Sequence, residues 1–451
     1  MFNKILIPNR GEIALRIIRA CKELGIKTVI AHSSADKDSL PVQYADERIC
    51  IGPGESLESY LNIPHILSAI EATDADAVHP GYGFLAESIP FVEVCEASHI
   101  TFIGPTAESI KLMGDKSLAR QTVRENRIPI LPGSNGILKN VKEAKEAARR
   151  IKYPVILKAS SGGGGRGMRV VHTESEMESA YLTCQQEAKT AFDNSDLYLE
   201  KYLERPRHIE VQILGDCFGN YLSLWERDCS LQRRHQKLIE ESPSPLINQR
   251  FRKKIAKLAL KIAKSVHYIS AGTIEFLVDG NLSPHFMEMN TRVQVEHPVT
   301  ELVTNTDIIK EQIRIAEGEK LSIKQKSVSI SGVAIECRIN AEDSENDFLP
   351  SPGKITRYLP PGGPGIRLDT HIHQGYTVPV YYDSLLAKLI SYGKNREEAI
   401  SRMQRALDEM VIEGIKTTIP FYKKIFSNPL YLKGKYYVGF IETILENENE
   451  K

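Results

Sequence analysis

The opening of the chain limits what it can build more than any other stretch. Lys4 to Pro8 is a short apolar run, and Glu12 to Leu24 carries Ala14, Ile17, Ile18, Cys21 and Leu24 at helical spacing. Gly25 stops that helix, and Thr28 to Ala31 is apolar again. Strand, helix and strand in such quick succession predict a βαβ unit, hence a parallel sheet with ligands at the carboxyl ends of its strands. The turn Asn9-Arg10-Gly11-Glu12 lacks the glycine spacing of a dinucleotide fingerprint. A second strand-end loop is expected where Asp76 to Val78 runs into His79-Pro80-Gly81-Tyr82-Gly83-Phe84-Leu85.

At 451 residues the chain is long enough for about three domains at ~150 residues each. The pattern places a Rossmann-like parallel sheet in residues 1–114. A central region, 115–330, contains a glycine-rich lid at about 132–203, and a last domain of mixed strands and helices spans 331–446. Within it, short strands and turns give way to a helix from Arg396 to Glu409. Lys+Arg and Asp+Glu balance at 58 each, which argues against a nucleic-acid or anionic-membrane binder. No apolar run approaches the ~20 residues of a membrane span, and the start does not read as a signal peptide. The seven cysteines are scattered singly, with no metal or disulfide pattern, so a reducing cytoplasm is the expected location.

Chemistry concentrates in one segment. Thr273 to Val278 and His285 to Met289 read as strands joined through Asp279-Gly280-Asn281, a hairpin signal. Glu275 and Glu288 then lie side by side, on the kind of face that carries Leu277 and Phe286. Paired carboxylates repel, so a cation belongs between them; magnesium, with oxygen ligands and nucleotide phosphates, fits, and Asn290 adds a third oxygen. The plain alternative is two solvated glutamates. Beyond them, Arg292, Gln294 and Glu296 alternate with Val293 and Val295. In a strand these three share a face, where a guanidinium and an amide suit a small planar oxyanion and Glu296 serves as a base. An ordinary strand with a polar outer face is the competing reading.

The run Ser160-Ser161-Gly162-Gly163-Gly164-Gly165-Arg166-Gly167 sits between two strand-like segments, which points to a hairpin tip over phosphates. It is neither a Walker A loop nor a protein-kinase loop. Lys158 ends the preceding strand in position for a phosphate; Lys116 alone reads as a surface lysine. Glu200-Lys201-Tyr202-Leu203 follows another strand and can meet an adenine and a ribose. The basic stretch Arg227 to Lys237 is either a solvated loop or a phosphate-contacting element. Cys229 within it reads as a small buried thiol, and His371 and His373 as structural.

Taken together, these residues resemble the ATP-grasp superfamily and, within it, the biotin carboxylase family. The resemblance rests on Asn9 to Ala14, His79 to Leu85, the glycine run and Arg227 to Lys237. It extends through Glu288 to Pro298, Glu336 to Glu342 and Phe348 to Gly353, and so covers essentially the whole chain. It implies that bicarbonate attacks ATP to give carboxyphosphate, whose carbon dioxide is captured by the ureido nitrogen of biotin. It further implies ATP contacts at Lys116, Lys158, Gly164, Gly165, Glu200, Lys201, Tyr202, Leu203, His208, Gln232, His235, Glu275 and Glu288. Glu275, Glu288 and Asn290 would bind magnesium, one or two ions, with manganese a possible substitute. Lys237, Arg292, Gln294 and Val295 would hold bicarbonate, Glu296 would be the general base, and Arg338 would bind biotin and stabilise its enolate. The implied partners are a biotin carboxyl carrier protein, carboxyltransferase subunits and a second copy of the chain.

Three positions depart from the family pattern: Pro8, Ser161 and Pro364, the last at a turn near the family's dimer contact. No biotinylation signal occurs, so biotin is expected on a separate carrier. Acetyl-CoA is the expected final acceptor, in fatty acid synthesis, with a two-subunit pyruvate carboxylase as runner-up. An ATP-grasp ligase joining a carboxylate to an amine is the more distant rival, and a non-catalytic nucleotide sensor is another.

Overall fold

The parallel sheet expected from the opening βαβ unit is present. The computed structural model describes residues 1–134, 136–160 and 167–449. Strand β1 (Lys4–Ile7) leads into α1 (Gly11–Glu23), followed by β2 (Lys27–Ser33), β3 (Glu47–Gly52), β4 (Ala77–Val78) and β5 (Thr101–Phe102). They form a five-stranded parallel sheet in the order β3-β2-β1-β4-β5. Strand β1 is apolar on both faces because each face is covered: Ile5 and Ile7 enter one core cluster, Leu6 another.

The strand order reverses between β1 and β4, and the loops that follow them meet there. Asn9 Nδ2 donates to the carbonyls of Pro80 at 2.6 Å and Tyr82 at 2.7 Å, tying the two loops together. Gly81 has φ +64°, and a Cβ there would meet Ile13 and Asn9, so the close approach needs glycine. This switch point is the expected place for a ligand.

A smaller antiparallel sheet comes next, from β6 (Val155–Ala159), β7 (Met168–Val171) and β8 (Leu197–Lys201), in the order β7-β6-β8. Helices Val141–Ile151 and Met177–Phe192 cover it, and Val155, Leu157, Leu197 and Leu199 pack with Ala144, Ala148 and Cys184 beneath them. Strand β6 alternates, with Ile156 and Lys158 on the side opposite this core. The glycine run joins β6 to β7, which pair as a hairpin. Ser161, Gly164 and Gly165 lie outside the described residues.

The remaining large element is an eight-stranded antiparallel sheet. Its strands are β9 (Arg207–Gly215), β10 (Tyr221–Arg233), β11 (Gln236–Ser242), β12 (Ser270–Val278), β13 (Pro284–Asn290), β14 (Val333–Asn340), β15 (Ile366–Thr370) and β16 (Leu385–Gly393). The order is β13-β12-β9-β10-β11-β14-β16-β15. The β11–β14 ladder therefore joins strands from either side of residue 330. The whole is a mixed α/β fold, as expected. Among the described residues no helix is long and apolar enough to cross a membrane.

Three local expectations change. The stretch from Thr291 to Glu296 is not a strand: β13 ends at Asn290, and a loop runs to helix α2 (His297–Thr304). The chain leaves the sheet edge because Glu87 binds the Thr291 backbone N–H at 3.0 Å, and Pro298 favours a helix start. Strict alternation in the carboxylate hairpin is also interrupted. Glu275 faces Glu288, but a register shift follows and pairs Phe276 with Phe286, whose rings meet edge to face. Finally, Arg227 to Lys237 is not a solvated loop but a hairpin of β10 and β11, with Arg227 wholly buried.

Candidate active site

A cleft of about 1900 Å³ opens where the switch-point loops, the small sheet and the face of the large sheet meet. Lys116, at the start of the helix Lys116–Glu125, and Lys158, Glu200, Lys201, Tyr202 and Leu203 line it from the small-sheet side. His208, Gln232, His235, Lys237, Glu275 and Glu288 line it from the large sheet, joined by Asn290, Arg292, Gln294, Val295 and Arg338. The fold thus brings nearly every expected residue to one cavity. Among the described residues Glu296 is the exception: it is fully buried and does not line the cleft.

Lys237 organises the floor. Its ammonium donates to Glu210 at 2.6 Å, Glu275 at 2.9 Å and Glu296 at 2.7 Å. Burial opposes its charge, but these three carboxylates hold it well above the ordinary lysine range. Arg338 grips the other Glu296 oxygen at 2.9 Å and Glu240 at 2.6 Å. Burial raises the Glu296 carboxyl, yet Lys237, Arg338 and Arg227 together hold it well below the usual carboxylate range. The Cys229 thiol points at Glu296 from 3.9 Å and is pushed far up by burial, so it is inert, as expected. Arg227 bonds Glu210, and also Gln212 at 2.8 Å, Thr300 at 2.9 Å and Thr273 at 3.0 Å.

The facing carboxylates Glu275 and Glu288 differ from their surroundings. Glu275 accepts from Lys237 and Asn290 and faces His208 Nε2 at 2.8 Å. Burial raises it, but Lys237 and His208 dominate and hold it far below its ordinary value. Burial works against the charge of His208, and Glu275 outweighs it, so its pKa is raised. Gln232 bonds the other His208 nitrogen at 2.6 Å. Glu288, opposite Glu275, has no hydrogen-bond donor or ion-pair partner among the described residues, and burial and Glu275 raise its pKa. Two adjoining carboxylates, Glu275 buried and Glu288 half-buried and uncompensated, form with the Asn290 amide an all-oxygen donor set that suits a hard divalent cation. The residues present therefore fit magnesium.

The loop after β13 carries the oxyanion candidates despite not being a strand. Arg292 Nη1 donates to Gln294 Oε1 at 3.1 Å, and Nη2 to Asn290 Oδ1 at 3.3 Å. Its Nε binds Glu87 at 2.9 Å. The Val295 carbonyl is held by Lys388 at 2.8 Å, and the same ammonium pairs with Glu12 at 3.0 Å, which also accepts from Tyr82.

On the small sheet, Lys158 donates to Glu200 at 2.7 Å, and Arg120 binds the other Glu200 oxygen. Burial, with Lys116 and Arg120 nearby, pushes the Lys158 ammonium down to about 8. Lys201 turns its ammonium onto the carbonyls of Lys152 at 3.0 Å and Tyr153 at 3.1 Å. Arg233 and Arg234 bind Asp347. His371 is buried against Tyr376, and both ring nitrogens of His373 face backbone carbonyls, of Gln374 at 2.9 Å and Asp38 at 3.1 Å.

Sequence reasoning missed Glu87, Glu210, Glu240 and Lys388. A signal existed for Lys388 alone, a charged residue inside the apolar run Leu385-Leu386-Ala387-Lys388-Leu389-Ile390.

With this geometry in hand, comparison with known proteins is direct. The family description "Biotin carboxylase, N-terminal domain" matches residues 1–110, and "Biotin carboxylase C-terminal domain" matches 336–443. Between them, "Carbamoyl-phosphate synthase L chain, ATP binding domain" matches residues 115–324. Biotin carboxylase 1 of Bacillus subtilis is 56% identical over 98% of this chain and 99% of its own length. A subunit of pyruvate carboxylase from Methanothermobacter thermautotrophicus is 50% identical over 98% of this chain and 90% of its own. A solved structure of the biotin carboxylase domain dimer of Hydrogenobacter thermophilus 2-oxoglutarate carboxylase, with MgADP, ADP and bicarbonate, matches with TM-score 0.94. It is 49% identical and covers 99% of this chain and 98% of that one.

Proposed function

We propose a complete reaction for this chain, which belongs to the biotin carboxylase family: carboxylation, through carboxyphosphate, of biotin held on a carrier protein. As a member of that family it is an ATP-dependent ligase that carboxylates biotin. The observation that carries the fuller reading is the convergence on Glu296, gripped by Lys237 on one side and by Arg338 on the other.

Each group then has a task. Lys116 and Lys158 meet phosphates, with His208, Gln232, His235 and the segment Glu200 to Leu203 along the rest of the nucleotide. Glu275, Glu288 and Asn290 hold magnesium, which neutralises charge on the transferring phosphoryl group. Arg292, Gln294 and the Val295 backbone hold bicarbonate beside Lys237. Arrival of that anion gives Lys237 and Arg338 a competing partner, which lessens their hold on Glu296 and raises its basicity enough to take the bicarbonate proton. Arg338 stabilises negative charge on the biotin oxygen, so that the ureido nitrogen can attack. Closure of the small sheet excludes water that would hydrolyse carboxyphosphate.

The carboxyl group is passed on by carboxyltransferase subunits, with acetyl-CoA as acceptor in fatty acid synthesis. The runner-up is pyruvate, favoured by the likeness to part of a pyruvate carboxylase. A homodimer is the proposed assembly, as in the Hydrogenobacter domain. The test is ADP release by the purified chain. It should require bicarbonate and rise on adding free biotin; release that depends instead on an amine or amino acid would sink the reading. Copurification with carboxyltransferase chains, identified by mass, separates the two acceptors.

A further inference from the structure

Behind the cleft floor the large sheet holds a carboxyl pair to which the reaction above gives no task. Glu240 on β11 and Glu336 on β14 are direct partners across the antiparallel ladder, and both are completely buried. Arg338 Nε donates to one Glu240 oxygen at 2.6 Å. The other Glu240 oxygen and both Glu336 oxygens have no hydrogen-bond partner among the described residues. The nearby cations are engaged elsewhere: Lys388 with Glu12 and the Val295 carbonyl, Lys237 with Glu210, Glu275 and Glu296. Adjacent carboxylates in so dry a place cannot both ionise, so the pair retains a proton.

The guanidinium is consequently held at two points, Nε on Glu240 and Nη2 on Glu296. That leaves Nη1, on the residue that lines the cleft, as the donor without a protein partner among the described residues. We propose that Glu240, with the proton-bearing Glu336 behind it, is a positioning residue for the biotin step, its ionised form fixing Arg338 so that Nη1 faces the biotin oxygen. The proposal rests on the biotin carboxylase reading of the site.

The groups around Glu240 come from five elements. Glu336, Cys337 and Arg338 lie on β14, and Lys237 on its own strand. Cys229 faces it from β10, Glu296 from the start of α2, and Tyr422 from the helix Ile419–Ile425. Burial pushes Glu240 up to about 7, with Arg338 pulling down and Glu296 pushing up. Burial also takes Glu336 well above the ordinary range, opposed by Lys388 and reinforced by Glu240. Both thiols and the phenol are pushed well up and stay neutral. Glu240 is thus the group whose charge changes near neutrality, and Arg338 is held more firmly as pH rises.

The experiment measures ADP release with and without biotin, as a ratio, from about pH 6 to about pH 8.5. In the parent the ratio should rise roughly three- to tenfold through pH 7. Glu240→Gln keeps an oxygen acceptor but cannot ionise, so its ratio should stay flat at the low-pH value. Glu336→Gln makes that partner permanently uncharged and should leave the midpoint of the rise within about half a pH unit of the parent's. A flat parent ratio, a Glu240→Gln chain that keeps the rise, or a Glu336→Gln midpoint displaced by more than about one unit overturns the assignment. The parent and Glu336→Gln arms keep it open to refutation should Glu240→Gln fail to fold. A parent that biotin does not stimulate at any pH overturns the biotin reading together with this one, whereas stimulation without a rise overturns this one alone.

Discussion

Two lysines face the same cleft and are treated in opposite ways. Lys237, on the large sheet, is held by three carboxylates and its pKa is driven well up. Lys158, on the small sheet, shares a single glutamate with Arg120, and its pKa falls to about 8. The large sheet has built its own charge compensation, so its cations and carboxylates hold one another in place. The small sheet is short of anions, a deficit that phosphates would fill. One wall of the cleft is therefore organised by the protein, and the other waits for a ligand.

The largest effect should come from the organised wall. Glu296→Gln keeps the shape but removes the basic carboxylate, and bicarbonate-dependent ADP release should fall roughly 10²- to 10⁴-fold. Unchanged turnover would exclude Glu296 as the proton acceptor. Lys237→Met leaves Glu210, Glu275 and Glu296 without their common cation and should cost about 3–5 kcal/mol of stability, read as a lower denaturant midpoint. A midpoint that does not move would break the contrast at its centre.

The waiting wall should respond in ligand affinity instead. Lys158→Gln should raise the KM for ATP roughly tenfold, about 1.4 kcal/mol, while the denaturant midpoint stays close to the parent's. The smallest effect is one of pH. Lys158 is cationic below about 8 in the free site, and bound phosphates favour that form. The KM for ATP should therefore rise roughly three- to fivefold as pH passes from about 7.5 to about 9. Lys158→Gln should abolish that rise; a variant that retains it would place the titrating group elsewhere.

Features set by neighbours in the chain were legible before the structure. Helix Arg396–Glu409 begins and ends where the pattern puts it, and Asn395 caps its start locally. Glu275 meets Glu288 because a short turn joins their strands. Features that depend on distant partners were not. Thr291 to Glu296 alternates like a strand, but it has no strand to pair with and is held by Glu87 instead. Arg227 looks like a surface cation until Glu210, Gln212, Thr273 and Thr300 close around it. Lys388 and Glu240 likewise reveal their role only when strands far apart in sequence lie side by side. The glycine run pointed to a hairpin tip over phosphates, and Gly164 and Gly165 lie outside the described residues.

The ladder between β11 and β14 has a consequence for inheritance. It places Glu240 and Arg338, 98 positions apart in the chain, in one contact behind the cleft. A chimaera joining residues 1–330 of this chain to the remainder of a relative would have to reproduce that contact and the backbone register at once. The C-terminal portion is not a cartridge that can be exchanged freely. It forms half of a shared wall, and substitutions on its two sides are expected to be tolerated only as matched sets.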